Sequence, residues 1–296
     1  MNDKHSNKSD KSPQGFRVVP AATGKLWLEE AWQFFRSQTR VLLFAVLLLV
    51  LIWSLSNVLV LGMVISILSP IFTAGLLLGI RAGFIKPPAR INLLAAWQLP
   101  GPRKELVLLG LVLTLLGLLI NYLLGPELAE LQLAMTSGVA SEVPIDALKR
   151  VFLFSFASVV IIGFCTWFGL PEIAYRGRPL LSAVLLSVQA ILANWRALSV
   201  LGFWLILIWL AVVFVMVIVS AVLVAVLSML GSSLIGTFII SLPFLVISLG
   251  MMALMYVLQY VCWRDIFSGP AEEKPTLEQE PQIDHNQDEE NTRVII

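Results

Sequence analysis

From Ala197 to Trp263 the chain runs for 67 residues without a charged side chain. Three shorter charge-free intervals precede it: 40 residues between Arg40 and Arg81, 21 between Glu105 and Glu127, and 21 between Arg150 and Glu172. A bilayer core of roughly 30 Å is crossed by about 20 apolar helical residues, so each interval has the length of one or more membrane spans. The composition agrees: 58% of residues are hydrophobic and only 13% charged. That charged share is about half the usual value for soluble domains. It excludes a soluble globular enzyme, a disordered protein and a disulfide scaffold. The intervals are continuously apolar, not alternating, which excludes a transmembrane β-barrel.

The interval 41–80 corresponds to about 60 Å of helix, enough for two spans, with Ser54, Ser56 and Asn57 as the turn between them. The second and third intervals supply one span each. Two readings of 197–263 stay open. The single loop-like stretch Ser228–Gly236 favours two over-length spans, and three short ones would place the C-terminus on the opposite side. The first reading gives six spans. Lys and Arg concentrate in cytoplasmic loops. They fall here in the N-terminal arm (Lys4, Lys8, Lys11, Arg17, Lys25, Arg36, Arg40), after the second span (Arg81, Lys86, Arg90, Arg103, Lys104) and after the fourth (Arg176, Arg178, Arg196). The opposite loops are uncharged or, between Gly125 and Lys149, led by Glu127, Glu130, Glu142 and Asp146. The expected fold is therefore an all-α integral membrane protein of six transmembrane helices with both termini in the cytoplasm. The first 25 residues have no apolar core of a cleavable signal, so the first span is expected to direct its own insertion.

Three regions are expected. Residues 1–20 and 268–296 read as disordered tails, the second carrying eight acids and two bases; residues 21–267 form the membrane domain. Within it, 24–39 is amphipathic and carries Trp27, Trp32, Arg36 and, just beyond, Arg40. It is expected to lie in the cytoplasmic interface with its rings at headgroup depth. Arg178–Arg196 looks like a second in-plane helix and Ile91–Leu99 a shorter third. Each carries a Trp close before a base: Trp32 and Arg36, Trp97 and Arg103, Trp195 and Arg196. Three units of in-plane helix plus hairpin, at 24–85, 90–176 and 178–267, would explain this. So would the general gathering of Trp and Arg at cytoplasmic interfaces, Arg264 included.

The chemistry-bearing residues are few. Both histidines, His5 and His285, lie in the tails, and Cys165 and Cys262 fall in or at the end of spans. Ion-coupled transporters keep Asp, Glu or His near the midplane, and no expected span has one. No cofactor, metal or catalytic group is expected. Asn121, Thr166 and Gln259 are read first as interhelical hydrogen bonding or backbone satisfaction, with a ligand site as the lesser alternative. Gly75, Gly79 and Gly83 share one face of the second span and should let another helix approach closely. Pro70 and Pro243 should kink the second and last spans. The expected partners are membrane lipids, with anionic headgroups on the Trp/Arg rim or another membrane protein as candidates, and no nucleic acid.

Four stretches carry a resemblance: VVPAATGKLWLEEAWQFF at 18–35, LSPIFTAGLLLGIRAG at 68–83, ILANWRAL at 191–198 and YVCWRDIFSG at 260–269. Together they resemble a family of uncharacterised proteobacterial six-helix inner-membrane proteins. More distantly they resemble the membrane domain that accompanies some glycerophosphodiester phosphodiesterases. Asn194-Trp195-Arg196 and Arg264-Asp265-Ile266-Phe267 are the most specific pieces. The resemblance implies six helices in a bacterial inner membrane. It brings no catalytic residues, because the phosphodiesterase barrel has no counterpart in this sequence. The long loop at 126–148 and the acidic tail look like additions. The function expected is a non-enzymatic accessory or scaffold protein of the envelope; the alternative is a passive transporter or lipid-handling protein.

Overall fold

The structure, a computed structural model, describes residues 15–55, 58–136, 145–229 and 233–268. The turn at Ser56 and Asn57, the centre of the loop expected at 228–236 and the acidic tail lie outside the described residues. Those residues form helices and their connections, with no strand among them. In chain order the α-helices are α1 (Thr23–Ser54), α2 (Leu59–Ile85), α3 (Pro100–Thr136), α4 (Ile145–Thr166), α5 (Gly169–Arg176), α6 (Leu180–Ala193), α7 (Trp195–Met229) and α8 (Ser233–Trp263). A 3-10 turn at Ala95–Gln98 precedes α3, and one π-helical turn, Arg264–Ser268, follows α8. Six helices are long and apolar enough to cross a membrane: α1, α2, α3, α4 with α5, α7 and α8. Residues 197–263 therefore supply two of them, and the fold is that of a multi-pass membrane protein.

Several boundaries differ from expectation. The stretch 24–39 is not a separate helix. It is the first half of the 32-residue α1, which bends at Gln38, where φ is −124° and ψ 19°. The Gln38 Oε1 accepts a hydrogen bond from the Ala89 N–H at 3.1 Å, so the bend is fastened to the connection after α2. The loop expected at 126–148 is mostly helix: α3 continues to Thr136, with Glu127 and Glu130 on its closing turns, and α4 opens at Ile145. A helix need not stop where the membrane stops, since water also tolerates it. At 1.5 Å per residue the 37 residues of α3 make about 55 Å. Ile91–Leu99 is not an in-plane helix. Residues 89–92 have no regular secondary structure, and a turn at 93–94 leads into the 3-10 turn.

The reason lies in the glycine face of α2. A Cβ built on Gly75 would collide with the backbone of Leu93. One on Gly79 would lie 2.8 Å from Ile91 Cγ1, and one on Gly83 2.6 Å from Ala89 Cβ. Gly75 and Gly79 thus receive the chain that returns from α2, which corrects the expectation of helix–helix contact there; Gly83 receives that chain and also the Phe34 ring of α1, 3.0 Å from an added Cβ. Close helix crossings lie at Gly110 of α3, where an added Cβ would strike the Ile67 carbonyl of α2, and at Gly24 of α1, where one would strike the Ala197 carbonyl of α7. Both α2 and α8 run through their prolines, Pro70 and Pro243, as single helices. Pro70 has no N–H for the Ser66 carbonyl, and the Ser69 hydroxyl donates to it instead at 2.9 Å.

The core sits between α1, α2 and α8. Leu42, Val46 and Leu49 meet Leu76, Leu77 and Ile80, with Val257, Leu258 and Val261 completing the interior. Half of the most apolar stretch of α2 is buried and 44% of that of α8, against 6% for α4 and for α7.

Candidate functional site

One end of the bundle gathers the starts of α1, α3 and α7 and the ends of α2, α5 and α8. Nearly all of the long-range polar bonds lie there. The N-terminal segment enters it first. Phe16 is buried, and the Arg17 N–H donates to the Ile266 carbonyl at 2.8 Å. The Arg17 guanidinium donates twice to the Asp265 carbonyl, at 3.0 and 2.6 Å. Asn194, which separates α6 from α7, reads this strap as a strand would. Its Oδ1 accepts from the Val19 N–H at 2.8 Å and its Nδ2 donates to the Arg17 carbonyl at 3.0 Å. The expected tail boundary at residue 20 therefore moves back to residue 15 at the latest. Apolar content alone missed it, because the strap is held by backbone groups.

Asp265 is the hub. Its Oδ2 accepts from the Trp27 indole at 2.9 Å, and its Oδ1 accepts from Arg264 Nη2 at 2.9 Å. The same guanidinium grips Glu30 with both arms, at 2.6 and 2.7 Å. Such a two-pronged bond fixes geometry as well as energy. It ties α1 to the end of α8. Arg264 also stands 5.7 Å from the centre of the Phe84 ring.

Glu172 of α5 forms a second knot. It has no exposed surface. The Trp263 indole donates to its Oε1 at 2.8 Å, Arg178 Nε lies 2.6 Å from its Oε2 and Arg176 Nη1 lies 3.6 Å from its Oε1. Gly177, at φ 63°, makes the turn that brings Arg178 back onto it. Only a residue tolerant of the left-handed region closes a helix this way. Arg176 reaches on to the Phe267 carbonyl at 2.9 Å. Around the knots, rings pack together: Phe34 stacks on Phe84 at 4.0 Å, while Phe84 and Tyr260, at 5.0 Å, and Tyr175 and Trp263, at 4.4 Å, meet at a tilt.

The residues expected at the membrane interface divide into two groups. Trp27 has no exposed surface, and the side chain of Arg264 is only 18% exposed. Both are bound inside the protein and neither is a headgroup anchor, which corrects that expectation. Trp32, Arg36, Arg40, Trp97, Arg103, Trp195 and Arg196 are exposed. Arg103 lies over Trp97 and Arg196 over Trp195, each 5.6 Å from ring centre. Gln259 donates to the Trp167 carbonyl at 2.9 Å and weakly to that of Thr166, whereas Asn121 lies elsewhere. Sequence reasoning missed Glu30, Glu172, Asp265 and Asn194 as interior groups. Asn194 and Asp265 did sit in the two most specific short segments, which was the available signal.

Cavities also lie among the described residues. One, of about 660 Å³, lies between α1, α2 and α3 and is lined by Ser66, Ser69, Thr114 and Asn121 among apolar neighbours. Another, about 500 Å³, is an almost wholly apolar groove between α3, α4 and α6, with Glu105 at one end. Among the described residues no three His, Cys, Asp or Glu side chains are grouped to hold a metal ion. Comparison of the chain with family models, with curated proteins and with solved structures finds no match.

Proposed function

We propose that this chain is a non-enzymatic accessory or scaffold protein of the bacterial inner membrane, with both termini in the cytoplasm. It would belong with the proteobacterial six-helix proteins that its sequence resembles. The interlocked end carries this reading. Its buried or half-buried carboxylates, Glu30, Glu172 and Asp265, are all engaged by guanidinium or indole groups in fixed pairings. Such groups hold a shape. The orientation rests on charge: the end that joins the two chain termini also bears Lys25, Arg103, Lys104, Arg176, Arg178 and Arg264, as the positive-inside rule requires of a cytoplasmic face. In this reading the first half of α1 and all of α6 lie along the cytoplasmic interface. The hairpins α1–α2, α3–α4 and α7–α8 are repeats of one unit, and the acidic tail is a solvated extension. Membrane lipids and one membrane-protein partner are its ligands.

Affinity purification in mild detergent is expected to return a reproducible partner; monomeric recovery without one would sink the scaffold reading. Reporter fusions at Gly138 and after Arg264 are expected to report opposite sides of the membrane, and a same-side result rejects the topology. The apolar groove between α3, α4 and α6 favours a second reading, lipid handling.

A further inference from the structure

The groove between α3, α4 and α6 has the dimensions and the end chemistry of a lipid site. Its volume of about 500 Å³ falls within the roughly 300–1,000 Å³ of ligand pockets. Leu109, Val112 and Leu116 of α3, Ile162 of α4 and Val184 of α6 form its walls. From Glu105 to Leu116 the wall runs about 16 Å along α3, about half of a bilayer core of roughly 30 Å. That is the depth of one leaflet.

Glu105 is the charged side chain in the lining, and it stands at the end where α3 begins. Its Oε2 accepts from the Leu180 N–H at 2.7 Å, which seals α6 across the groove end. The carboxylate stands against the mouth. An acidic headgroup would be repelled by it; an ammonium group would be matched by it.

We infer that this groove holds one acyl chain of an aminophospholipid of the cytoplasmic leaflet, its ammonium group on Glu105. The inference rests on the lipid-handling reading and names its ligand class.

The full chain, purified and exchanged into micelles holding equal phosphatidylethanolamine and phosphatidylglycerol of identical acyl chains, is to be read by native mass spectrometry. Retained phosphatidylethanolamine is expected to exceed phosphatidylglycerol by about tenfold, as one charge-assisted bond provides. Glu105→Gln keeps an oxygen for the Leu180 N–H and should bring the ratio to about one. Val184→Trp fills the groove and should remove both lipids. Cys165 gives an independent reading, because it lines the groove whereas Cys262 is buried. Alkylation of Cys165 by an apolar maleimide should be slower in phosphatidylethanolamine vesicles than in phosphatidylglycerol vesicles for the unaltered chain, and equal for Glu105→Gln. Equal retention of the two lipids, a preference that survives Glu105→Gln, or lipid that survives Val184→Trp in a folded protein overturns this site and leaves lipid handling standing. Retention of no lipid at all overturns both.

Discussion

Helices α2 and α4 are similar in length, 27 and 22 residues, and similarly apolar, yet one is central and the other peripheral. Lipid tails are as apolar as leucine, so hydrophobicity puts a helix into the membrane but does not say what it packs against. Small residues and polar handles decide that. On α2, Gly75, Gly79 and Gly83 admit the returning chain at contact distance, and the Tyr175 hydroxyl donates to the Leu77 carbonyl at 2.8 Å. On α4, Phe152, Leu153, Phe154, Phe156 and Val159 stand exposed, and a Cβ added at Gly163 would meet nothing within 4 Å. Ion pairs divide the same way. Arg264 is enclosed at the end of α8, whereas Arg150 of α4, 3.2 Å from Glu127, is 53% exposed.

The sharpest way to break this contrast is at the ion pairs. Arg264→Ala leaves Glu30 and Asp265 without their shared cation, and should destabilise the protein by about 1.5–3 kcal/mol, the range for hydrogen bonds to charged groups. Arg150→Ala should cost at most about 1 kcal/mol. Unfolding midpoints in a mixed-micelle SDS titration measure both, and equal shifts would erase the distinction. The next effect is steric. Gly79→Leu must displace Ile91 and should cost about 1–3 kcal/mol by overpacking. Gly163→Leu, in open surroundings, should change the midpoint by less than about 0.5 kcal/mol. A loss at Gly163 as large as that at Gly79 would show that α4 is enclosed by a partner in the assembled state.

Much of the fold was legible from where charges are missing. The intervals 41–80, 106–126, 151–171 and 197–263 each contain the apolar helices that the structure places there. The same rule hid the interlocked end. Glu172 and Arg264 were read as borders where spans stop, because a charge in sequence looks the same whether water or another charge will receive it. Glu172 is in fact enclosed by Trp263 and Arg178, and the latter reaches it only through the turn at Gly177. The glycine stripe of α2 announced a close approach but not by what. Its occupant, 89–93, has no helical period of its own to betray it. The groove could not be seen at all, since aliphatic residues facing a cavity and facing lipid are alike in sequence.

The strap at Arg17 and Val19 bears on how the chain is made. Arg17 bonds to Asp265, 248 residues later. At the roughly 5–20 residues per second of synthesis, that partner leaves the ribosome on the order of 10–50 s after the strap does. Throughout that interval Arg17 and the Trp27 indole lack Asp265, and α1 is in the membrane without the helix that will enclose it. The last turn synthesised before the acidic tail is therefore the one that locks the first segment down, and a chain cut short before Asp265 would carry six-helix hydrophobicity without a closed end.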